Sequence, residues 1–281
     1  MGVDKIKSYA KLNLALNVTG KNSSLHKIET IIVFVSLHDE ILIEKINTNK
    51  HKISFTGKFS RNIGKNNTVS KLLNILDEKK LLNNKKFRVR IKKKIPSKAG
   101  LGGGSMNASN ILNYFLKKNI IKISKKEVIK ISKLVGSDVL LGLNPTSSIL
   151  SGNNEIKRFY NCKKFYSLIV KPQFGCSTRE IYSKVKKFNK PKFNNPSLKM
   201  FNFDYLKKMD NSLEPIALSK YSKLGKIKSF LETLSKPSFV RMTGSGSALV
   251  AYFQSKYRCE IAKKMFHKKY KNYWCILSKT I

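Results

Sequence analysis

Apolar and polar positions first alternate from Ile6 to Val18, IKSYAKLNLALNV, and the pattern stops at Thr19-Gly20, which predicts a strand and a turn. Ser23 to Leu37 reads as a loop entering a second strand. Asp39 to Ile46 and His51 to Thr56 alternate around a polar turn, a hairpin by pattern. The period then lengthens. Val69, Leu72, Leu73 and Leu76 recur at helical spacing behind Asn66-Asn67-Thr68, with Asn67 a helix-cap candidate. Phe87, Val89 and Ile91 return to strand period, and Met106, Ile111, Leu112 and Phe115 to helical period. Ser124 and Glu127 form a capping box ahead of Val128, Ile129, Ile131 and Leu134, a helix that Gly136 stops.

Asn144-Pro145 and Gly152-Asn153-Asn154 punctuate the chain, and two domains are expected, 1–155 and 156–281. Phe165 to Val170 predicts a strand, and Ser177 to Glu180 a second capping box opening a helix that carries Tyr182. Asn189 to Met200 is rich in Pro, Asn and Lys without periodicity, a loop. Asn211, Leu213, Glu214 and Pro215 suggest a helix start, and Leu224, Ile227, Leu231 and Leu234 an amphipathic helix. Phe239 to Met242 leads through Thr243-Gly244-Ser245-Gly246-Ser247 into a strand, Ala248 to Phe253. A helix from about Tyr257 and a strand at Tyr273 to Leu277 follow. No internal repeat is visible.

With 281 residues, 41% of them hydrophobic, the chain has ample core for one large or two ordinary domains. No apolar run approaches the ~18 residues that span a bilayer. The start, MGVDKIKSYAKLN, lacks the apolar stretch of a secretory signal, and Gly2 is not followed by the Ser/Thr of a myristoylation site. Cys162, Cys176, Cys259 and Cys275 have no metal-ligand spacing, so neither a zinc site nor a disulfide framework is expected, and a reducing cytoplasm is the simplest compartment. The net charge of +41 raises nucleic acid or an anionic membrane as partners. Of the 57 basic residues 7 are Arg, leaving 57 − 7 = 50 Lys. Base reading favours the planar Arg fork, whereas Lys, Asn and Ile are what A- and T-rich codons supply. The bias is spread over the whole length, so no specific nucleic-acid or membrane partner is expected, only RNA adsorption at low salt.

The stretch of densest chemistry is PSKAGLGGGSMNAS, Pro96 to Ser109. Gly100, Gly102, Gly103 and Gly104 lie between a strand pattern and a helix pattern. Backbone amides in such a loop, with a helix N-terminus behind them, cradle phosphate oxygens. A Walker loop requires a Lys after its last glycine, which is missing, and the GxGxG spacing misses the GxGxxG of dinucleotide folds. The stretch resembles the second motif of the GHMP kinases, in the branch with three consecutive glycines, PxxxGLGGGSSNAA. It matches at Pro96, Gly100, Leu101, Gly102, Gly103, Gly104, Ser105, Asn107 and Ala108, and departs at Met106 and Ser109. Other motifs of the family follow in order. AKLNL is matched by Ala10 to Leu14, with Lys11 and Asn13; GYHxLxT by His26 and Thr30, with Leu25 in place of the aromatic; and DN(L/T) by Asn67. GADVP is matched at Gly136, Asp138 and Val139, with Ser137 for Ala and Leu140 for Pro. NDLEP is matched at Asn211, Leu213, Glu214 and Pro215, and the last glycine turn at Thr243, Gly244 and Ser245.

The resemblance implies an α+β, two-domain GHMP kinase architecture, with a ribosomal-protein-like N-terminal domain and a ferredoxin-like C-terminal one. It implies ATP and Mg²⁺ as cofactors. Pro96, Gly100 to Ser105, Asn107 and Asn67 would line the nucleotide, and Ser105 is the one metal-ligand candidate. Lys11 and Asp138 would be catalytic, the carboxylate as general base and the ammonium beside the accepting hydroxyl. Asn13, His26, Tyr182, Thr243, Gly244 and Ser245 would meet the substrate. For this branch that is a small molecule, a cytidine diphosphate-linked methylerythritol phosphorylated on its 2-hydroxyl in non-mevalonate isoprenoid synthesis. His26 would bond the cytosine edge and Tyr182 stack on the base. Two readings stand beside it: a homoserine or mevalonate type of kinase, and a decayed kinase serving as a basic RNA-binding module.

Overall fold

Two long strands, β1 (Asp4–Lys21) and β2 (His26–Ile46), pair with each other and carry the rest of the chain. The computed structural model describes residues 2–22, 25–61 and 63–281, so Ser23 and Ser24, expected to begin the second loop, lie outside the described residues. The strand that this loop is expected to enter begins at His26 and runs unbroken to Ile46, taking in the strand expected separately from Asp39. Its run Ile31 to Val35 is buried on both faces and so shows no alternation, which is why the pattern concealed it. Likewise β1 alternates up to Tyr9 and is then buried on every residue from Ala10 to Val18, enclosing the polar Lys11, Asn13 and Asn17.

The chain divides into two compact units, Met1–Ala10, Leu37–Ser97 and Gly102–Pro145 in the first, and Lys11–Ser36, Lys98–Leu101 and Thr146–Ile281 in the second. In the first unit, β2 pairs antiparallel with β4 (Lys86–Lys92), and β3 (Lys52–Thr56) pairs with the far edge of β4, in parallel. The expected β2–β3 hairpin is therefore incorrect: β4 lies between them. The register explains the choice. Arg88 stands opposite Glu44 and ion-pairs with it at 2.9 Å, so the charged outer face of β4 is neutralised by β2. A parallel β3–β4 pair needs a crossover, supplied by α1 (Thr68–Glu78).

Helices α1, α2 (Gly103–Lys117) and α3 (Lys125–Val135) bury Leu72, Leu76, Ile111, Leu112, Phe115 and Ile131 against Ile41, Ile43, Phe87, Val89 and Ile91 of the sheet. Phe115 is fully buried, and truncating such a side chain costs about 3–5 kcal/mol. Ser124 caps α3 by the expected box, but its inward face is Ile131, Ser132 and Val135; Leu134 is 48% exposed. A short α4 (Val139–Gly142) follows.

In the second unit, Thr30 to Ile32 of β2 pair with β5 (Ser147–Leu150), which forms a hairpin with β6 (Ile156–Phe159) that the sequence pattern did not disclose. After β7 (Tyr166–Lys171) come α5 (Thr178–Ser183), a 3-10 turn at Leu198–Phe201, α6 (Phe203–Lys207), α7 (Glu214–Lys220) and α8 (Ser222–Thr233). Next are β8 (Phe239–Met242), β9 (Leu249–Phe253), α9 (Lys256–Lys269) and β10 (Trp274–Lys279). The sheet order β10-β7-β9-β8, antiparallel throughout, is the ferredoxin-like arrangement expected of the C-terminal part. Leu168, Val170, Leu249 and Ala251 pack on Leu224, Ile227, Leu231 and Phe266. The Arg241 guanidinium is buried and donates to the carbonyls of Leu14, Leu206 and Met209, which ties β8 to β1. Among the described residues no helix is long and apolar enough to cross a membrane.

One edge contact is sensitive to pH. His51 Nδ1 accepts the Phe87 backbone N–H at 3.0 Å, and Nε2 faces Asp77 Oδ2 at 3.2 Å, a carboxylate that Lys86 also holds at 2.6 Å. Burial pushes the His51 pKa down from its ordinary value, partly opposed by Asp77. The unfolded chain therefore takes up the proton first, and the stability from this contact is complete above about pH 6.5 and declines as pH falls below it. The melting temperature is expected to drop by a few degrees from about pH 7.5 to about pH 5.5, and by less in His51→Gln. Equal drops in both proteins would refute the assignment.

Candidate active site

In the first unit the glycine loop is rooted by a buried charge pair. The inward register of β4, Phe87, Val89 and Ile91, continues to Lys93 and Ile95, and that of β2 runs Leu37, Asp39, Ile41, Ile43. Lys93 and Asp39 thus meet inside, as a salt bridge. Asp39 Oδ1 accepts the backbone N–H of Lys94 at 2.7 Å and of Ile95 at 2.8 Å, and Oδ2 accepts Asn107 Nδ2 at 3.0 Å. One carboxylate thereby holds the strand end before Pro96 and the second turn of α2. Asn107 Oδ1 is buried and has no hydrogen-bond partner among the described residues.

Above this root the backbone is bare. Gly102 is the N-cap of α2 at φ 70° and offers no capping side chain. A Cβ on Gly103 would lie 3.0 Å from Ile95 Cγ2 and 3.2 Å from Lys93 Nζ, and one on Gly104 3.0 Å from Thr68 Oγ1. Thr68 Oγ1 donates to the Gly104 carbonyl at 2.8 Å, drawing the loop onto the start of α1. Asn67 caps α1: its Oδ1 accepts from Val69 N at 3.0 Å and Ser70 N at 3.1 Å. The first-turn amides of α2 have no side-chain cap, so they and the helix dipole favour an anion. Ser105 Oγ lies 3.7 Å from where a Cβ on Gly136 would stand, which brings the loop beside the Gly136-Ser137-Asp138 turn. Asp138 is half-buried at the N-cap of α4 and makes no capping bond there.

In the second unit, residues 98–101 run along the Thr243–Ala248 turn. Ser247 N donates to the Lys98 carbonyl and Ala248 N to that of Ala99, both at 3.2 Å, and Lys11 N donates to the Leu101 carbonyl at 3.2 Å. Gly100 has φ +73°, and a Cβ on it would sit 1.9 Å from the Thr243 carbonyl oxygen. The turn is held from beneath by Asn211, whose Nδ2 donates to the Met242 and Gly244 carbonyls at 2.8 Å each, and by Glu214, which accepts Met242 N at 2.7 Å. That gives the NDLEP-like segment a structural task beyond opening α7.

Lys11 is buried, and its Nζ donates to Asn13 Oδ1 at 2.6 Å. Asn13 N donates to Thr243 Oγ1 at 2.9 Å, and its Nδ2 to Thr30 Oγ1 at 2.9 Å, while the Thr30 hydroxyl donates onward to the Ala15 carbonyl at 2.6 Å. Because Thr30 spends its proton on Ala15, it can only accept from Asn13, and this turns the amide oxygen toward Lys11. Ser245 Oγ and Thr178 Oγ1 are 2.9 Å apart. The His26 and Tyr182 rings meet at 5.1 Å, tilted by 42°, and Leu25 is 68% exposed. Burial, with Lys21 nearby, lowers the His26 pKa, so the ring is neutral at pH 7.

Most of the expected site residues thus gather in three clusters: Pro96 with Gly102 to Ser105, Asn107 and Asn67; Lys11 and Asn13 with Gly100, Leu101, Thr243 and Gly244; and His26 with Tyr182. Asp138 stands at the N-cap of α4, two residues past the Gly136 that adjoins Ser105, and Ser245 pairs with Thr178. Sequence reasoning does not mark Lys93, Asp39 or Thr68 as site residues, and it gives Thr30 only as a motif match. For Lys93 and Asp39 the signal existed, since each continues an apolar alternation at period 2.

The two glycines differ in what a methyl would meet. Gly100→Ala strains φ and drives Cβ into a backbone oxygen, so a loss of about 3 kcal/mol or more is expected, whereas Gly103→Ala, whose neighbours are side chains, loses about 1 kcal/mol. Urea denaturation of both variants measures this; equal losses would contradict the packing described.

Residues 67–152 match the model of the GHMP kinases N terminal domain. The chain is 58% identical over 277 residues to the 4-diphosphocytidyl-2-C-methyl-D-erythritol kinase of Pelagibacter ubique, covering 99% of each. It is 31% identical over 294 residues to the enzyme of that name from Clostridium perfringens, covering 99% of this chain and 98% of the relative. A solved 4-(cytidine 5'-diphospho)-2C-methyl-D-erythritol kinase shares its fold with a TM-score of 0.79 at 21% identity, covering 99% of this chain and 100% of the other. The chain belongs to the 4-diphosphocytidyl-2-C-methyl-D-erythritol kinase family of GHMP kinases.

Proposed function

We propose that this chain transfers the γ-phosphoryl group of ATP to the 2-hydroxyl of 4-diphosphocytidyl-2-C-methyl-D-erythritol, a step of non-mevalonate isoprenoid synthesis carried out in the cytoplasm. The observation that carries the reading is 58% identity across 99% of both chains to a relative of that name. Homoserine or mevalonate chemistry has no comparable support in the sequence.

ATP supplies the phosphoryl group and its triphosphate charge. The uncapped first turn of α2 fits it, because Gly103 and Gly104 present amides with no Cβ in front of them, and the Ser105 hydroxyl adjoins them. Pro96 follows the strand end that Asp39 holds, and Asn107 and Asn67 brace the two helices that flank these amides. For Mg²⁺ the chain offers little: among the described residues no group of three His, Cys, Asp or Glu side chains could hold a metal. The Ser105 hydroxyl would then be a protein ligand beside phosphate oxygens and water, a donor set that suits Mg²⁺.

The remaining tasks fall to side chains. Asp138 accepts the proton of the attacking alcohol, and Lys11, steered by Asn13, offsets the charge that grows on the oxygen. The Thr243-Gly244-Ser245 turn bounds the substrate. His26, held neutral, offers one ring N–H and one lone pair to the cytosine edge, and Tyr182 lies against the base.

Asp138→Asn should lower kcat by about 10²- to 10⁴-fold and leave the KM for ATP within about twofold, read from ATP consumption with the cytidyl substrate. Turnover at the wild-type rate would rule out the base. The charge of +41 supports a second, weaker activity, adsorption of RNA through phosphate contacts. In filter binding its affinity is expected to fall by about 10³-fold or more between about 50 and 200 mM salt. RNA affinity that survives the higher salt, with no ATP turnover, would favour the binding-module reading.

A further inference from the structure

Phe188 lies in no recognised motif, yet its setting is unusual. Of the 16 phenylalanines it alone is exposed, at 48%, among the described residues. A single exposed apolar side chain is ordinary on a surface. What distinguishes this one is that the backbone beside it is pinned.

The next residue, Asn189, donates its backbone N–H to the Val18 carbonyl at 2.9 Å and its side-chain amide to Asn17 Oδ1 at 2.7 Å and Ser212 Oγ at 3.0 Å. Three residues further, the fully buried carboxylate of Glu29 accepts Lys192 N at 2.6 Å and Phe193 N at 2.9 Å, and Phe193 is itself buried. A segment without regular secondary structure is thereby laced to β1 and β2, and those bonds fix the backbone next to the Phe188 ring. It comes to rest with its centroid 6.3 Å from that of His26, whose other neighbour is Tyr182 at 5.1 Å. Tyr182 packs on the core of the second unit, whereas Phe188 keeps much of its surface in water.

The outcome is an imidazole, neutral at pH 7, with two aromatic rings near it, one packed on the core and one presenting an open surface. A planar heterocycle with donors and acceptors on its edge suits such a group, since His26 meets the edge while a ring covers the face. At Leu25, one residue before His26, the side chain is aliphatic and 68% exposed, so the second aromatic surface next to this histidine comes from Phe188.

We propose that Phe188 is a base-binding, specificity-determining residue that packs on the pyrimidine of a cytidine nucleotide beside His26 and Tyr182. The inference rests on the substrate read under the proposed function and adds to it a residue outside every recognised motif. A pre-placed ring loses little freedom on binding, so the gain falls on substrate affinity and leaves the chemical step untouched.

The test uses the full chain and the variants Phe188→Ala, Phe188→Leu and Phe188→Tyr, each checked for unchanged thermal stability. Phe188→Ala is expected to raise the KM for the cytidyl substrate by about tenfold or more, with kcat and the KM for ATP within about twofold. Phe188→Tyr should restore the KM and Phe188→Leu should not, which separates ring stacking from mere apolar cover. Cytidine monophosphate, titrated by NMR into the wild type, should shift ring resonances of His26, Tyr182 and Phe188, and in Phe188→Ala it should bind about tenfold more weakly. An unchanged KM in Phe188→Ala, full rescue by Leu, or a nucleotide that moves none of these rings would overturn the proposal. If the wild type fails to phosphorylate the substrate while cytidine monophosphate still shifts the three rings, the proposed reaction falls and the base site stands.

Discussion

The carboxylate of Asp39 is fully buried, and the first unit is arranged so that it can be. An ion pair taken out of water loses several kcal/mol of hydration per charge, and the Coulomb gain compensates only when the remaining lone pairs are also satisfied. Here they are: Lys93, two consecutive backbone amides and Asn107 all donate to it. Removing one partner of such a pair costs about 3–5 kcal/mol, because the other is left charged and buried. The consequence for function is positional. The pair fixes where β4 ends and how α2 sits, and the glycines spanning these two points have no side chains with which to hold themselves.

A parallel logic operates in the second unit. Glu29 is fully buried and accepts from Asn17, Lys192 and Phe193, and Glu214 accepts Met242 N under the Thr243–Ala248 turn. Glu29 takes backbone N–H groups from a segment that has no ladder of its own, replacing secondary structure with charge-assisted hydrogen bonds, and Glu214 takes the one at the end of β8, where the strand passes into the turn. Loops held this way stay close to one conformation. That is what a site requires if it is to act by placing reactants instead of by rearranging around them.

How much of this the sequence disclosed depends on the interaction concerned. Helices with one apolar face, such as Val69 to Leu76, and capped starts such as Ser124 to Glu127, are written locally and were read with few errors. Leu134 was misplaced because Val135, one residue on, competes for the same face. The continuity of β2 was hidden by Ile31 to Val35, where burial on both faces erases alternation. The β3–β4 pairing depends on which strand edge is free, and hairpin patterns carry no information about that. At the site, glycines and the residues of short motifs were legible because backbone geometry restricts their identity. Lys93 was lost among three consecutive lysines, although only the middle one continues the inward series of Phe87, Val89 and Ile91. Phe188 could not be found at all, since what qualifies it is the set of hydrogen bonds made by its neighbours.

The charge balance casts the same clamps in a different light. With 57 basic and 16 acidic residues, the surface cannot pair its lysines, and exposed pairs would add at most about 1 kcal/mol each. Three of the scarce acids, Asp39, Glu29 and Glu214, are spent inside, where each collects several donors. A composition drifting toward lysine can alter solvated positions at small cost, because those side chains keep their ammonium groups in water. It cannot replace these three carboxylates without leaving the buried amides they hold unpaired. Selection for the fold therefore acts on few acidic positions, and these lie beneath the glycine loop, the Thr243–Ala248 turn and the segment that carries Phe188.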